Sequence, residues 1–282
     1  MRSRQKGETR TEEQIRQHYD VEVGLANILK NASVEERKTG NLYTKTYDEM
    51  FRRVPHHPML TRKESAADTE HAIKWQMGLL RKFLKDSSTV FEIGPGDCKV
   101  SFHLAKHVQK VVGVDVSNVI TDSDSIPENF ELIISDGTNL PVPEHSADIV
   151  YSNQLMEHIH PDDAKMQVRE IFRVLRDGGD YICITPNRVN GPWDVSYYFD
   201  DIASGFHIKE YTHKELVQIF REAGFRRFRA YVGAGGYYMR FPIWPLVILE
   251  KLVAALPSNL RVRIGQSLPI RSLLGIKLVA TK

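Results

Sequence analysis

From Ser88 onward the chain alternates short runs of β-branched and aliphatic residues with segments of helical period, and this alternation restricts the fold more than any other feature. TVFEIG reads as an apolar strand ending in glycine, VSFHLAKHV as a helix, and KVVGVDV as a second buried strand. FELIISDG, ADIVYSN and DYICITP supply a third, fourth and fifth strand. Between the last two, Asp163 to Arg176 places Val168, Ile171, Val174 and Leu175 on one face, and Gly178-Gly179 is expected to end that helix. Continuous Val/Ile runs separated by helices imply a parallel sheet covered on both faces. Phe225 to Val232 and the terminal GIKLVATK add a sixth and a seventh strand. The expected architecture is α/β: a Rossmann-like, seven-stranded, mostly parallel sheet with helices on both faces.

The flanking regions read differently. Thr11-Glu12-Glu13-Gln14, Ser33-Val34-Glu35-Glu36 and Thr212-His213-Lys214-Glu215 are capping-box patterns, in which a hydroxyl and a longer acceptor satisfy the first free N–H groups of a helix. The third opens a helix expected to stop at Gly224. Pro55 and Pro58 break the pattern around His56 and His57, and Ile73, Met77, Leu80 and Leu84 mark one face of a later helix. The chain therefore divides into a helical N-terminal extension over 1–66, beginning to change near Ser65, a Rossmann-like domain over 67–235, an apolar and basic insertion over 236–274, and a final strand over 275–282.

Composition narrows the function classes. At 282 residues the chain buries one large core, and its 41% apolar and 26% charged content is that of a soluble globular protein. A net charge of +2 does not call for a nucleic-acid partner. Phe241 to Leu256 is interrupted by Pro242, Pro245, Glu250 and Lys251, so no integral membrane span is expected. Cys98 and Cys183 lie far apart, as reduced thiols of a cytoplasmic protein would. His56 and His57 have no partner at ligand spacing, so no metal is expected.

The chemistry is concentrated in Val90-Phe91-Glu92-Ile93-Gly94-Pro95-Gly96-Asp97, a strand that runs into a glycine turn before a helix. Gly94 and Gly96 let the backbone approach a ligand closely, and the helix start offers N–H groups to an anion. Asp115 ends the second strand, Asp136-Gly137 the third, and Asn153 the fourth. Each alone is an ordinary turn former, but together they line the carboxyl edge where open parallel sheets bind ligands. A dinucleotide fingerprint would need its third glycine at Lys99, which disfavours a nicotinamide-dependent oxidoreductase.

In EIGPG, GVDVS, SDGTNLPVPEHSADIVYSNQLMEHI and REIFRVLRDGGDYICITP, over about Phe83 to Phe228, the chain resembles the class I S-adenosylmethionine (SAM)-dependent methyltransferases, especially the ubiquinone-biosynthesis-methyltransferase-like subgroup. The resemblance implies that Glu92, Gly94 and Gly96 hold the methionine end of SAM. By the same resemblance Asp115 takes the ribose hydroxyls, Asp136 the adenine amino group, and Asn153 lies beside the methionine moiety. Pro95, Val116 and Gly137 complete that set. Where a third glycine often stands this chain has Cys98, which is expected to narrow the pocket.

The resemblance makes 67–235 the SAM-binding catalytic domain and 1–66 a lid, and implies transfer of methyl to a small-molecule acceptor with release of S-adenosylhomocysteine. A hydroxyl of a glycan precursor or secondary metabolite is the expected acceptor, and such a nucleophile must lose a proton. His158 is the first choice of base, with His207 and Tyr211 at the lip of the expected pocket. Glu157 is an alternative cofactor contact or helix-start residue, and Tyr43, Tyr47 and Phe51 read as a buried stripe. Other readings are a SAM-binding regulatory or scaffold protein without turnover, and an N- or C-methyltransferase on a lipid or quinone-like substrate. From Arg240 onward basic residues outnumber acidic ones seven to one, which suits peripheral membrane contact or an acidic substrate, while core packing or a homodimer contact is the plainer use of the segment.

Overall fold

The computed structural model describes residues 1, 2, 4, 7–61, 66–117 and 126–282. Helices α1 (Glu12–Asn31), α2 (Val34–Thr39), α3 (Leu42–Arg53), α4 (Pro58–Thr61) and α5 (Ala66–Leu80) precede the sheet. The boundary expected near Ser65 lies outside the described residues. Thr11 and Ser33 cap α1 and α2 with both halves of the capping box formed, as their sequences predict. Met77 and Leu80 of α5 are buried as expected, whereas Leu84 lies beyond the helix end.

The strands are β1 (Thr89–Ile93), β2 (Lys110–Asp115), β3 (Phe130–Ile134), β4 (Ala147–Asn153), β5 (Leu175–Thr185), β6 (Arg227–Ala234), β7 (Tyr237–Phe241) and β8 (Ile276–Thr281). They form one sheet in the order β3-β2-β1-β4-β5-β8-β6-β7. β1 to β5 are mutually parallel, with α6 (Lys99–Leu104) connecting β1 to β2 and α7 (Pro161–Val174) leading from β4 into β5. β8 runs antiparallel between β5 and β6. α8 (His213–Ala223) lies between β5 and β6, opening on the Thr212 capping box and ending at Gly224 in the left-handed region, both as predicted. Because β1 pairs with β2 on one side and β4 on the other, the chain reverses direction across the sheet at β1, and the carboxyl end of β1 is the place where open sheets of this kind bind ligands.

Two expectations need correction. The described residues form eight strands, not seven, because β7 lies inside the segment expected to be an insertion. Gly235 and Gly236, at φ +63° and +87°, make the two-residue turn that folds β7 back on β6. In addition, α7 ends at Val174 rather than Arg176, and Gly178 (φ +81°) lies within β5 instead of terminating a helix. The register of β4 against β5 shifts between Ala147 and Ile149, so the Asp-Gly-Gly stretch accommodates a bulge.

Strand alternation divides the core into two layers. Phe91, Val112 and Val150 face α7 and α8 with Val168, Ile171, Leu216 and Phe220. Val90, Val111 and Ile149 face α5 and α6 with Met77, Leu80 and Leu104. A third cluster joins α1 and α3 to Phe206 and Ile208 of the loop that follows β5. That third cluster brings the N-terminal helices over the carboxyl edge of the sheet. The remaining helices, α9 (Ile243–Ala254), α10 (Ser258–Gly265) and α11 (Leu268–Leu274), lie between β7 and β8.

Candidate active site

The turn after β1 has Gly94 at φ +70° and Gly96 at φ +56°. A Cβ on Gly94 would stand 3.0 Å from a methyl of Leu155, while one on Gly96 would meet no atom within 4 Å. Gly94 is therefore glycine for packing and conformation, and Gly96 faces open space. Cys98 takes the next left-handed position, φ +60°, at a cost of roughly 1–2 kcal/mol for a residue with a side chain. It is fully buried with Val90 and Leu104, beneath the turn. The expectation that Cys98 narrows the pocket is thus corrected: the side chain packs into the core, and the turn keeps its opening.

Glu92 lies buried under the same turn and accepts a 2.5 Å hydrogen bond from the Ser101 hydroxyl. Burial pushes its carboxyl up to about 7, with the Ser101 bond opposing and the charges of Asp97 and Asp115 assisting. Asp115 accepts from the Val116 amide at 2.7 Å, from Gly96 at 3.2 Å and from Ser117 at 3.3 Å. Burial nevertheless raises its pKa against those bonds. Val116 is exposed, and a Cβ on Gly137 would lie 3.1 Å from its Cγ1, so the two form one apolar shelf beside Asp115. Asp136 accepts from the Thr138 amide and hydroxyl and the Asn139 amide, each at 2.8 Å, and from the Asn139 side chain. Burial would raise this carboxyl, but those donors hold it below the usual range.

Asn153 completes this edge: its Oδ1 is buried with no hydrogen-bond partner. An orphaned buried acceptor costs about 1–3 kcal/mol unless a donor arrives. Together with the open space over Gly96 and the carboxylate of Asp115, it fits a ligand carrying an ammonium group and a sugar diol. The sequence-predicted set Glu92, Gly94, Pro95, Gly96, Asp115, Val116, Asp136, Gly137 and Asn153 lies in or just after four strands on one edge of the sheet, with β1 between β2 and β4.

A second, denser group adjoins it. A 3-10 turn, Met156–His158, follows β4, and the segment 186–211 follows β5. The rings of His158 and His207 stand at 4.9 Å, edge to face. Nδ1 of His158 is 2.9 Å from the Tyr47 hydroxyl and 3.1 Å from the Phe206 carbonyl. Burial and the neighbouring His207 depress its pKa to about 3, so it is neutral at physiological pH and a weak proton acceptor. His207 behaves oppositely. Burial opposes its charge, but the 2.7 Å bond from Nδ1 to Glu210 and the carboxylates of Glu157 and Asp194 raise it to about 9. Glu157 accepts from Thr185 Oγ1 at 2.8 Å, has its other oxygen buried without a partner, and is raised by burial to about 7. Tyr211 is fully buried in the main core, its hydroxyl unpartnered and its pKa raised by burial.

Glu157, His158 and His207 place potential ligand atoms within 4.8 Å of one another, as do His18, Glu22 and His57. In the second group both His18 nitrogens are engaged, by Arg10 and Glu22, and His57 Nδ1 accepts from Met59. In the first, the imidazolium of His207 already balances the buried carboxylates.

Sequence reasoning missed the residues that arrive from far along the chain. Glu22 of α1 accepts from the Phe206 amide at 2.9 Å, Tyr47 of α3 reaches His158, and Glu210 orients His207. Tyr43 bonds both Asp163 and the His160 amide, and Arg37 forms a buried two-point pair with Asp163 at 2.6 and 2.9 Å. Glu210, three residues after His207, carried a local signal that the pattern HIKE offered. The other contacts carried none.

Residues 91–183 match the family model described as "Methyltransferase domain". Over those residues the chain is similar to methyltransferase domains. A probable S-adenosylmethionine-dependent methyltransferase of Mycolicibacterium smegmatis is 30% identical over 137 residues, 48% of this chain and 51% of that protein. The chain thus aligns with about half the length of the first of these curated relatives. A demethylmenaquinone methyltransferase of Listeria monocytogenes is 28% identical over 214 residues, 64% of this chain and 87% of the relative. Among solved structures, Haemonchus contortus phosphoethanolamine N-methyltransferase 1, in complex with phosphoethanolamine and S-adenosylhomocysteine, superposes with a TM-score of 0.56 at 14% identity, over 88% of this chain and 50% of that one. At that identity the likeness concerns the fold. No helix among the described residues is long and apolar enough to cross a membrane.

Proposed function

We propose that this methyltransferase domain transfers methyl from SAM to a small-molecule acceptor, and that the acceptor atom is a hydroxyl oxygen of a glycan precursor or secondary metabolite. The observation that carries the reading is the buried, unpartnered oxygen of Glu157, four residues beyond Asn153, on a carboxyl raised to about 7. SAM, when bound, supplies an electrophilic methyl on a sulfonium and leaves as S-adenosylhomocysteine. Glu92, Gly94, Pro95 and Gly96 hold its methionine end in this reading, with the Asn153 acceptor on the ammonium. Asp115 holds the ribose diol, while Val116, Asp136 and Gly137 frame the adenine.

Glu157 takes the proton that the acceptor hydroxyl must lose, since its pKa lies near neutrality. His207 stays protonated and holds the Glu157 carboxylate by charge, with Glu210 fixing its ring. His158, neutral, ties the Tyr47 hydroxyl of α3 to the strand end and so positions the N-terminal helices as a lid. The base role expected for His158 passes to Glu157, because an imidazole near pKa 3 accepts protons poorly at neutral pH. Tyr211, expected at the lip of the pocket, is instead enclosed in the main core and keeps its phenolic proton there.

A second reading, methylation of carbon or nitrogen on a lipid or quinone-like substrate, is favoured by the 87% coverage of the demethylmenaquinone methyltransferase. Turnover of methyl-labelled SAM against panels of hydroxylated glycan precursors, phenolic metabolites and quinols tests both. Product analysis locating the label on oxygen supports the first reading, and label on ring carbon the second. Retained S-adenosylhomocysteine binding without transfer to any acceptor would instead favour a regulatory or scaffold protein.

A further inference from the structure

Helix α9 is apolar on two sides. Leu246, Glu250 and Val253 form its buried side, where Glu250 accepts from the His213 amide at 2.9 Å, from His213 Nδ1 at 2.7 Å and from Asn187 Nδ2 at 2.6 Å. These bonds tie α9 to α8 and to the loop after β5. On the opposite side Trp244, Ile248 and Leu252 recur every four residues and are 69%, 48% and 63% exposed. A helix apolar all round is ordinarily covered, and a large uncovered apolar face on a folded protein marks an interaction surface.

The exposed charge of the segment 236–274 that carries this face is of one sign, although Glu222 of α8 lies beside Ile243 and Val247 together with Lys214 and Arg221. Arg240, Lys251, Arg263 and Arg271 are exposed and make no ion pair among the described residues. Glu250, the only carboxylate of residues 236–274, is consumed in the buried network. Arg261 is spent on the carbonyls of Val189 and Asp201, anchoring α10 to the loop that walls the candidate site. The exposed surface of this segment therefore carries four cations, no carboxylate and an outward Trp-Ile-Leu stripe.

We propose that α9, with its flanking cations, docks on an anionic lipid surface, the stripe entering the boundary between headgroups and acyl chains while the cations meet the headgroups. The buried side of α9, through Glu250 and Asn187, and α10, through Arg261, hold the loop after β5, so docking fixes the position of that loop relative to the bilayer. The inference goes beyond the methyl-transfer reading and does not depend on it.

The test is flotation of the full chain with vesicles of phosphatidylcholine alone and of phosphatidylcholine with phosphatidylglycerol. Binding is expected to the anionic vesicles, with a blue shift in tryptophan emission that Trp244→Phe abolishes. The double variant Trp244→Glu/Leu252→Glu should lose about tenfold or more in partitioning. Each of Arg240→Gln, Lys251→Gln, Arg263→Gln and Arg271→Gln should lose roughly fivefold, on anionic vesicles only. These side chains are exposed, so the variants should keep the thermal midpoint and S-adenosylhomocysteine affinity of the parent, which separates failure of docking from failure of the methyl-transfer reading. No binding to anionic vesicles by the folded parent overturns the proposal. So does a dimer in sedimentation velocity that the double variant dissociates, since a second copy would then be what covers the face.

Discussion

The two halves of the candidate active site are built in different ways. The half proposed for the cofactor, from Glu92 to Asn153, is local: each residue lies in or just after a strand, and backbone turns fix it. Gly96 donates to Asp115, and Asp136 caps its own turn. The half proposed for the acceptor is assembled across the chain, from α1, α2, α3, the turn after β4, α7 and the loop after β5. Its contacts join Glu22 to Phe206, Tyr47 to His158 and Arg37 to Asp163. Local construction makes the first half resistant to changes elsewhere. The second half depends on packing among distant segments, so a change in any one of them reaches the others.

The difference can be broken most sharply by Glu157→Gln. Turnover should fall by about 10²–10⁴-fold while S-adenosylhomocysteine affinity stays near that of the parent. A parallel loss of affinity would return Glu157 to the cofactor half.

Next in size is Arg37→Ala. It leaves Asp163 buried beneath Tyr43 without its cation, and urea unfolding should register a loss of about 3–5 kcal/mol. A change under about 1 kcal/mol would mean that the N-terminal helices are not fused to α7 by this pair.

The third concerns pH. The folded-state pKa of Glu92, about 7, lies above its ordinary 4.5, so folding favours the protonated form. Its contribution to stability is fully present below about 4.5 and is lost as pH rises through about 7. Glu92→Gln should flatten the fall in stability across that interval, read by unfolding in urea at successive pH values. An unchanged slope would put the carboxyl in a more solvated setting.

The smallest effect is expected at Cys98→Gly. Its side chain is buried beneath the turn, so S-adenosylhomocysteine affinity should change by less than about threefold. A larger gain would mean that the thiol does intrude on the site.

The same contrast governs what could be read from residues alone. Strand ends, glycines, capping boxes at Thr11, Ser33 and Thr212, and the aligned Asp115 and Asn153 are short-range features, and each could be read where it stands. The hairpin at Gly235-Gly236 was readable in principle, but YYMRF is an edge strand with Tyr237 and Met239 in solvent, so no buried period announced it. The protonation states of His158 and His207 were not readable at all. The two rings are in edge-to-face contact, and their pKa values diverge because Glu210, Glu157 and Asp194 surround His207, while burial and the charge of His207 itself hold His158 down against the Phe206 carbonyl. Only tertiary packing determines which neighbours each receives.

The most direct test of the cofactor half is calorimetric titration of the purified chain with S-adenosylhomocysteine, beside Asp115→Ala and a nicotinamide dinucleotide control. One-site binding by the parent, weakened about tenfold or more in the variant and absent with the dinucleotide, is the predicted result. A folded parent that takes up no S-adenosylhomocysteine, or a variant that binds as tightly as the parent, would contradict the assignment of this sheet edge to the cofactor.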